Sequence, residues 1–429
     1  MSDYSWPIST EITAMHLELT TRCNAACPMC PRHIDNGKSV NPNLILEEIT
    51  FENFKEWFSP EFLAQQRRVY ACGNYGDPIA AKDTLEIYKY IRQHAPFCNL
   101  VIHTNGSARN EKWWAELATV INGYRPDPLW KGEDYVVFSV DGLWDTNHLY
   151  RRNTNFDTIY RNMKAFTAAG GKARWDYIVF EHNEHQVEQA KQMAEEMGFE
   201  FFNIKRTTRW QGYNIETDNR GFYEVRNPDG SSYLLRQAKD SKYQHENAIE
   251  FKQKVRLIPQ YITNDEFKRM FPSHEAKDTM SVFDPESKEM ITIKHNTLGV
   301  DCRARLGKYQ SNNEIFVSGT GHVYPCCFLG GEPWRAPSNY NAKDTSKEMV
   351  ELNGGMDSIS LHESTLDDIM LTPLFQRFLP MSFEKGCNMR SFQCSSCCGD
   401  EYNQLDQGEL GDNNRSISKK QERESRNDG

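Results

Sequence analysis

The sequence predicts an α/β protein, in which a partial (β/α)6 barrel of the TIM type is followed by a small cysteine-rich α+β domain. Two observations predict this class. Short apolar runs alternate with helical patterns from residue 14 to residue 210, and repeated strand–helix units form parallel sheets with right-handed crossovers. Cysteines then gather in the last third of the chain. Because six such units are too few for a closed eight-unit barrel, we expect an open, curved sheet.

Six apolar runs are the strand candidates, and two of the stretches between them have clear helical spacing. The runs are Ala14–Leu19, Arg68–Cys72, Asn99–Thr104, Tyr135–Val140, Arg174–Phe180 and Glu200–Lys205. The helical positions are Phe156, Ile159, Met163 and Phe166 behind Asn155, and Val187, Ala190, Met193 and Met197 behind Asn183. Steps of three and four residues place such side chains on one helix face, and Asn is a favoured N-cap. We therefore expect helices capped at Asn155 and Asn183.

Polar residues and glycines follow the first four strand candidates. They are Cys23–Cys30 after the first, Gly73, Gly76 and Asp77 after the second, Thr104 and Asn105 at the end of the third, and Ser139 and Asp141 at the end of the fourth. In barrels of this kind the chemistry takes place at the carboxyl ends of the strands. A single glycine turn is usually only a turn, but four polar strand ends at one edge favour a ligand site.

The rest of the chain divides into three further segments. Residues 211–300 lose the strand–helix regularity and are expected to be a connector or an insertion that faces the substrate. Within them, Phe222–Val225 and Tyr233–Leu235 flank a turn sequence at 227–230, which predicts a hairpin. Residues 301–402 hold the C-terminal cysteines and form the predicted cysteine-rich domain. Residues 403–429 contain few apolar side chains, which predicts a disordered tail.

The composition excludes several classes of protein. The net charge of -10 argues against a broad nucleic-acid-binding surface, and no apolar run approaches the roughly 20 residues that cross a bilayer. The first residues lack the basic and apolar regions of a secretory signal, so we expect a cytoplasmic protein. In a reducing compartment, 12 cysteines in tight groups favour metal binding over disulfides. Cys98 stands apart from these groups and is expected to be a buried thiol.

Cys23, Cys27 and Cys30 place three thiols in one short loop. Cysteine thiolates are the usual ligands of iron–sulfur clusters. Three cysteines leave one iron of a four-iron cluster without a protein ligand, and catalytic metal sites keep such an open position. The alternative is a zinc site that borrows His33 as its fourth ligand. The spacing favours the cluster over zinc.

Together, this loop, the glycine turn and the Ser139–Asp141 strand end resemble the radical S-adenosylmethionine (SAM) superfamily, whose motif is Cys-x3-Cys-x2-Cys. The resemblance implies that Cys23, Cys27 and Cys30 hold a 4Fe-4S cluster whose open iron binds SAM. It further implies that the reduced cluster cleaves SAM to methionine and a 5′-deoxyadenosyl radical, which abstracts hydrogen from a substrate.

The resemblance also assigns SAM contacts to the other strand ends. The implied contacts are Gly73, Gly76 and Asp77 for the methionine amino group, and Thr104, Asn105, Ser139 and Asp141 for the ribose and the carboxylate. Glycine lets a backbone carbonyl approach a ligand, and hydroxyl and carboxylate groups can share the ribose protons. The chain departs from the family at two positions, because Asp77 stands where Glu is common and Met29 where an aromatic residue is common.

The C-terminal cysteines resemble the SPASM/twitch-type extension of the same superfamily, which carries auxiliary iron–sulfur clusters. The implied ligands of one auxiliary 4Fe-4S cluster are Cys302, Cys326, Cys394 and Cys397, with Cys387 as an alternative to one of them. The spacing alone is about equally compatible with a structural zinc ribbon on the same thiols and with an iron–sulfur cluster, because Cys-x2-Cys binds both metals. The N-terminal motif favours iron–sulfur.

The resemblance implies an enzyme that acts on a peptide or protein, because many enzymes with this extension modify peptides. Only residues 1–13 precede the first strand candidate, so no N-terminal peptide-recognition domain is expected, and a small molecule or nucleotide is the alternative substrate. An electron donor such as flavodoxin or ferredoxin is the implied partner. The non-enzymatic alternative is an iron–sulfur electron-transfer module, which would need no pocket for SAM.

Overall fold

The computed structural model describes residues 6–122, 133–207, 209–210, 221–244, 279–284, 289–294, 302, 313–331, 345–383 and 394. The strands in chain order are β1 Ala14–Leu17, β2 His33–Ile34, β3 Ser39–Val40, β4 Arg68–Ala71, β5 Asn99–Thr104, β6 Tyr135–Ser139, β7 Ala173–Ile178, β8 Phe201–Lys205, β9 Phe222–Arg226, β10 Ser232–Arg236, β11 Thr279–Asp284, β12 Glu289–Lys294, β13 Glu314–Val317 and β14 Val323–Tyr324. The predicted tail and three of the C-terminal cysteines, Cys387, Cys397 and Cys398, lie outside the described residues.

Eight of these strands form one sheet, in the order β14-β13-β1-β4-β5-β6-β7-β8. β1 and β4 to β8 are the predicted strands, and all neighbours among them run parallel. The predicted α/β class with a partial barrel is therefore confirmed. β13 extends the sheet beyond β1, also in parallel, with Glu314 opposite Ala14. A strand from the predicted cysteine-rich domain thus continues the sheet of the barrel.

The sheet curves, as contacts between strands that are not neighbours show. The charges of Lys205 and Asp176, on β8 and β7, act on the thiol of Cys72, which follows β4. Because β5 and β6 separate these strands in the sheet, an interaction of this kind requires that the sheet curve and bring the three side chains toward one another on its concave face. This face is the interior of the partial barrel.

The helices are α1 Phe51–Trp57, α2 Pro60–Ala64, α3 Thr84–His94, α4 Glu111–Ile121, α5 Asn147–Tyr150, α6 Phe156–Ala168, α7 Val187–Glu196, α8 Cys327–Gly331, α9 Thr345–Leu352, α10 Leu366–Met370 and α11 Leu379–Ser382. Asn155 caps α6 as predicted, because its side chain accepts a hydrogen bond from the Thr158 N–H at 3.0 Å. Across the described ranges, no helix is long and apolar enough to cross a bilayer.

The predicted cap at Asn183 is wrong. A 3-10 turn at Glu184–Gln186 precedes α7, and the Asn183 side chain makes no capping bond. Its oxygen instead accepts from the Phe180 N–H at 2.7 Å, and its amide donates to the Asp141 carbonyl at 2.9 Å. Asn183 thus joins the ends of β6 and β7, a tertiary role that helical spacing does not reveal.

Large apolar side chains pack the convex face of the sheet against the helices. The ring centroid of Trp114 on α4 lies 5.1 Å from that of Phe138 on β6, and Phe166 on α6 lies 5.9 Å from Phe138. All three side chains are fully buried, and burial of each contributes about 2–3 kcal/mol. This layer fixes β6 against α4 and α6 and so holds the loops at its carboxyl end in place.

The C-terminal helices pack against the start of the chain. The Trp6 ring centroid lies 6.2 Å from that of Phe375 and 6.1 Å from that of Phe383. The Gln376 side chain also donates to the Trp6 carbonyl at 3.2 Å. Cys394 is buried in the same apolar core, so the C-terminal segment belongs to the same packed body as β1.

Candidate active site at the carboxyl edge of the sheet

The loop that contains Cys23, Cys27 and Cys30, here called the cysteine loop, lies at the carboxyl end of β1. Asn105, after β5, connects this loop to the third strand end. Its side-chain amide donates to Asn24 Oδ1 at 3.0 Å and lies 3.8 Å from Cys23 Sγ. The structure thus brings the predicted residues of the first and third strand ends together.

The three thiols of the cysteine loop lie close enough to influence one another. Burial raises the pKa of Cys27 to about 11. The charge of Arg151 lowers this pKa, and the negative charges of Cys30 and Asp141 raise it. Burial likewise raises the pKa of Cys23, with smaller effects of Asp77 and Cys27. Thiols in this state become thiolates when a metal cation binds them.

The donor set fits an iron–sulfur cluster. N–H groups lie at two of the sulfurs, since Arg151 Nη1 is 3.9 Å from Cys27 Sγ and Asn105 Nδ2 faces Cys23, and such donors stabilise thiolates. Across the part of the chain that the structure describes, no three His, Cys, Asp or Glu side chains converge on one metal ion. In a four-iron cluster each cysteine binds a different iron, so its sulfurs need not converge.

A hairpin of β9 and β10 covers the cysteine loop, and this is the hairpin that the sequence predicts. The Tyr223 hydroxyl donates to the Pro28 carbonyl at 2.8 Å, and the Tyr233 hydroxyl donates to the Leu149 carbonyl at 2.6 Å. An apolar cluster lies between the hairpin and the loop; its buried members are Ala25, Cys27, Met29, Tyr150, Phe180, Trp210, Val225 and Leu235. Met29 thus packs in this cluster, where the family commonly has an aromatic residue.

The glycine turn after β4 is fixed by Glu18, a residue that the sequence analysis missed. Glu18 Oε1 accepts hydrogen bonds from the backbone N–H groups of Tyr75 at 2.6 Å and Gly76 at 3.1 Å. A Cβ atom on Gly76 would lie 1.7 Å from the Thr20 carbonyl oxygen, so only glycine fits there. The available signal was a carboxylate at the end of an apolar strand, directly before the cysteine loop.

We expect the Glu18→Gln variant to lose a pH dependence of stability. Burial raises the folded-state pKa of Glu18 from 4.5 to about 7, although the N–H groups of Tyr75 and Gly76 oppose the shift. The folded protein therefore holds a proton that the unfolded chain releases, and stability falls as the pH rises between these values. The shift corresponds to about 3 kcal/mol. Urea unfolding at about pH 4.5 and pH 7.5 should show that the free energy of unfolding decreases less between these pH values in the variant than in the wild type. An equal decrease in both proteins would contradict this role of Glu18.

Asp77 joins the second and third strand ends. Its Oδ1 accepts from the Thr104 hydroxyl at 2.7 Å and from the Ile79 N–H at 3.1 Å, and its Oδ2 accepts from the Asn105 N–H at 2.7 Å. Three predicted site residues, Asp77, Thr104 and Asn105, therefore lie together. Because these bonds occupy the carboxylate, Asp77 is placed to position the two loops, and the backbone of the glycine turn remains the surface for a ligand.

Asp141 forms a buried ion pair with Arg151, which the sequence analysis missed. Asp141 is fully buried, and its Oδ2 lies 2.6 Å from Arg151 Nε while its Oδ1 accepts from the Ile178 N–H at 2.5 Å. Arg151 follows α5 and reaches Cys27 on its other side. Ser139 pairs in register with Asp176 of β7, so these two side chains share a face of the sheet. No motif connects Arg151 to the loop, because α5 brings it there through the tertiary fold.

Polar side chains line the barrel interior behind the glycine turn. Lys205 Nζ lies 3.2 Å from Asp176 Oδ2, and the Asn203 amide donates to Asp176 Oδ1 at 3.0 Å. Burial lowers the pKa of His103 to about 4, so its imidazole is neutral at pH 7. Burial also raises the pKa of Cys72 to about 12, with further effects of nearby carboxylates. The interior therefore offers an ion pair, a neutral imidazole and a protonated thiol.

Cys326 interacts electrostatically with two of the other predicted auxiliary ligands, Cys302 and Cys394. Burial raises the pKa of Cys326 well above its ordinary value, and the neighbouring thiols of Cys327, Cys302 and Cys394 raise it further. Cys397 and the alternative ligand Cys387 lie outside the described residues. No disulfide joins the described cysteines. Cys98 is fully buried, as predicted.

Comparison with solved structures gave several similar chains. Streptococcus suis SuiB aligns at 13% identity and a TM-score of 0.40, covering 80% of this chain and 68% of that one. The anSMEcpe chain with bound AdoMet aligns at 14% identity and a TM-score of 0.43, covering 92% and 88%. BtrN in complex with AdoMet and 2-DOIA aligns at 13% identity and a TM-score of 0.38, covering 90% and 92%.

The comparison with curated proteins gave no match. The family model described as the radical SAM superfamily matches residues 17–194. This range contains the cysteine loop, the glycine turn, Asn105 and the ion pair of Asp141 with Arg151. Residues 17–194 therefore form a domain of the radical SAM superfamily.

Proposed function

We propose that the protein is a radical SAM enzyme that abstracts hydrogen from its substrate. Cys23, Cys27 and Cys30 would hold a 4Fe-4S cluster, and SAM would bind beside it at the strand ends. The observation that carries this proposal is the position of the cysteine loop at the carboxyl edge of a parallel sheet, with N–H groups from Asn105 and Arg151 at two of its three thiols. When bound, the cluster supplies the electron that converts SAM to methionine and a 5′-deoxyadenosyl radical.

The described residues of the pocket have distinct tasks. Glu18 accepts two N–H groups of the glycine turn, which leaves carbonyl oxygens of the turn to accept from the methionine amino group. Asp77 keeps Thr104 and Asn105 against this turn. Ser139 and Asp141, with Thr104 and Asn105, remain the proposed contacts of the ribose and carboxylate, and Asp141 also holds Arg151 beside Cys27. The hairpin excludes water from one side of the cysteine loop.

The proposed substrate is a peptide or protein, with a small molecule or nucleotide as the alternative. The SPASM/twitch-type resemblance of the C-terminal cysteines supports the peptide. The pair of Lys205 and Asp176, in the interior behind the glycine turn, favours a polar group on the part of the substrate that enters the barrel. A flavodoxin or ferredoxin in the cytoplasm is the proposed electron donor.

An auxiliary 4Fe-4S cluster is proposed for Cys302, Cys326, Cys394 and Cys397. The electrostatic interactions of Cys326 with Cys302 and Cys394 support a shared metal site. This site would belong to a domain spanning residues 301–402, after a barrel at 14–210 and a connecting segment at 211–300. The cluster would pass electrons to or from a substrate radical, anchor the substrate, or stabilise the fold.

The test is reductive cleavage of SAM. Protein reconstituted with iron and sulfide under anaerobic conditions is expected to release 5′-deoxyadenosine when dithionite and SAM are added. Parallel reactions with pools of peptides and metabolites, followed by mass spectrometry, identify the substrate class. Release no greater than that of protein without iron and sulfide would contradict the proposal and favour an electron-transfer module.

A further inference from the structure

A cleft of about 530 Å³ borders the cysteine loop on its outer side. It is lined by Arg22, Asn24, Glu48, Ile79, Ala80, Lys82, Ala108 and Arg109. Arg22 and Asn24 are the two sequence neighbours of Cys23, so a molecule seated in the cleft comes within one residue of a proposed cluster ligand. The size lies within the range of ordinary ligand clefts.

The rim of this cleft is positively charged. Arg109 donates to the backbone carbonyls of Ile79, at 2.8 Å, and Ala81, which are neutral acceptors. Lys82 is exposed. Arg22 lies 3.6 Å from Glu48, the one carboxylate among the lining residues, and its side chain remains 47% exposed. Three cations against one anion make a local positive surface on a chain whose net charge is -10.

The cleft lies on the side of the cysteine loop that the hairpin leaves open. The hydrogen bonds on the hairpin side reach Ala26 and Pro28: Tyr223 donates to the Pro28 carbonyl, and Arg152 Nε donates to the Ala26 carbonyl at 2.9 Å. Asn24, at the other end of the loop, is exposed. A partner seated in the cleft therefore lies against the exposed neighbours of Cys23, which are Arg22 and Asn24.

We propose that this cleft is the docking site of an acidic electron-carrier protein, an inference that rests on the proposed function. Acidic side chains of the carrier would face Arg22, Lys82 and Arg109. One electron would pass from the reduced carrier, which is thereby oxidised, to the cluster bound at Cys23. Exposed rim cations attract an oppositely charged protein over a distance and raise its association rate. The overall negative charge of this chain would otherwise repel such a carrier.

The test compares two reductants with one set of holoenzyme variants. Release of 5′-deoxyadenosine is measured with reduced flavodoxin, with reduced ferredoxin and with dithionite, and the Kd of each carrier for the protein is measured separately by isothermal titration calorimetry. Lys82→Glu and Arg22→Gln are expected to raise the KM for the protein carriers, about tenfold for the charge reversal, and to leave the dithionite rate within about twofold of wild type. Added salt should slow reduction by the carriers but not by dithionite.

Lys164→Glu is the matched control, because Lys164 is exposed on α6 outside the cleft and the substitution changes the net charge equally. This control is expected to behave as wild type with all reductants. The inference is overturned if Lys82→Glu leaves the carrier KM unchanged, if Lys164→Glu raises it equally, or if neither carrier reduces a wild-type protein that dithionite reduces. Absence of product with dithionite in the wild type would instead contradict the proposed function.

Discussion

Replacement of Cys27 by alanine is expected to reduce 5′-deoxyadenosine release to background. Cys27 is buried in the apolar cluster beneath the hairpin, and Arg151 Nη1 faces its sulfur at 3.9 Å. Cys30 raises the pKa of Cys27, and Cys27 raises that of Cys23, so the three thiols act on one another as one group. The variant should bind less iron at this site and lose the visible absorbance of the iron–sulfur cluster in proportion.

Cys98→Ala is the matched control for this loss. Cys98 is also a fully buried thiol, but it precedes β5 at the amino edge of the sheet, away from the cysteine loop. Its replacement removes a sulfur atom from the core and should lower stability by about 1 kcal/mol without a loss of iron. Equal activity of Cys27→Ala and wild type would contradict the assignment of Cys27, whereas equal losses in both variants would indicate damage to the fold.

Replacement of Arg151 by methionine is expected to lower the free energy of unfolding by about 3–5 kcal/mol, because it leaves a buried charge without its partner. Asp141 is fully buried and lies 2.6 Å from Arg151 Nε. The Asp141→Asn/Arg151→Met double variant removes both charges, and the Asn oxygen can still accept from the Ile178 N–H. We expect this double variant to be more stable than Arg151→Met alone.

Urea unfolding of the metal-free wild type, both single variants and the double variant measures the coupling between the two residues. Iron content after reconstitution is a second readout, since Arg151 faces Cys27 as well as Asp141. Additive effects on stability would show that the pair is not coupled. Unchanged iron binding in Arg151→Met would show that the guanidinium does not contribute to metal binding by the cysteine loop.

The strand–helix alternation predicts the parallel sheet, because period and spacing are local properties of the sequence. The position of β13 is not local: it joins β1 across about 300 residues of chain, with Glu314 opposite Ala14, and no pattern in the first 210 residues reveals an open edge there. For the hairpin, too, the local sequence predicts the strands but not where they pack. Its turn sequence predicts β9 and β10, but the bond from Tyr223 to Pro28 depends on the tertiary fold.

The sequence likewise identifies some residues of the candidate site and misses others. Spacing identifies Cys23, Cys27 and Cys30, and position after a strand identifies Asp77 and Asn105. The sequence does not indicate that Asp77 would use its carboxylate on Thr104 and Asn105. Glu18 and Arg151 were missed because their importance comes from what they contact. A single acidic residue or a pair of arginines in a loop has no signature until the loops are brought together.

The most direct test of the proposed cluster and SAM site is electron paramagnetic resonance of a variant that keeps the cysteine loop and lacks two of the proposed auxiliary ligands. Cys326→Ala/Cys394→Ala removes two proposed auxiliary ligands and should bind about four irons after reconstitution. The account predicts that the signal of the reduced cluster changes when SAM is added, because SAM binds the iron that Cys23, Cys27 and Cys30 leave open. A spectrum that is identical with and without SAM would contradict it.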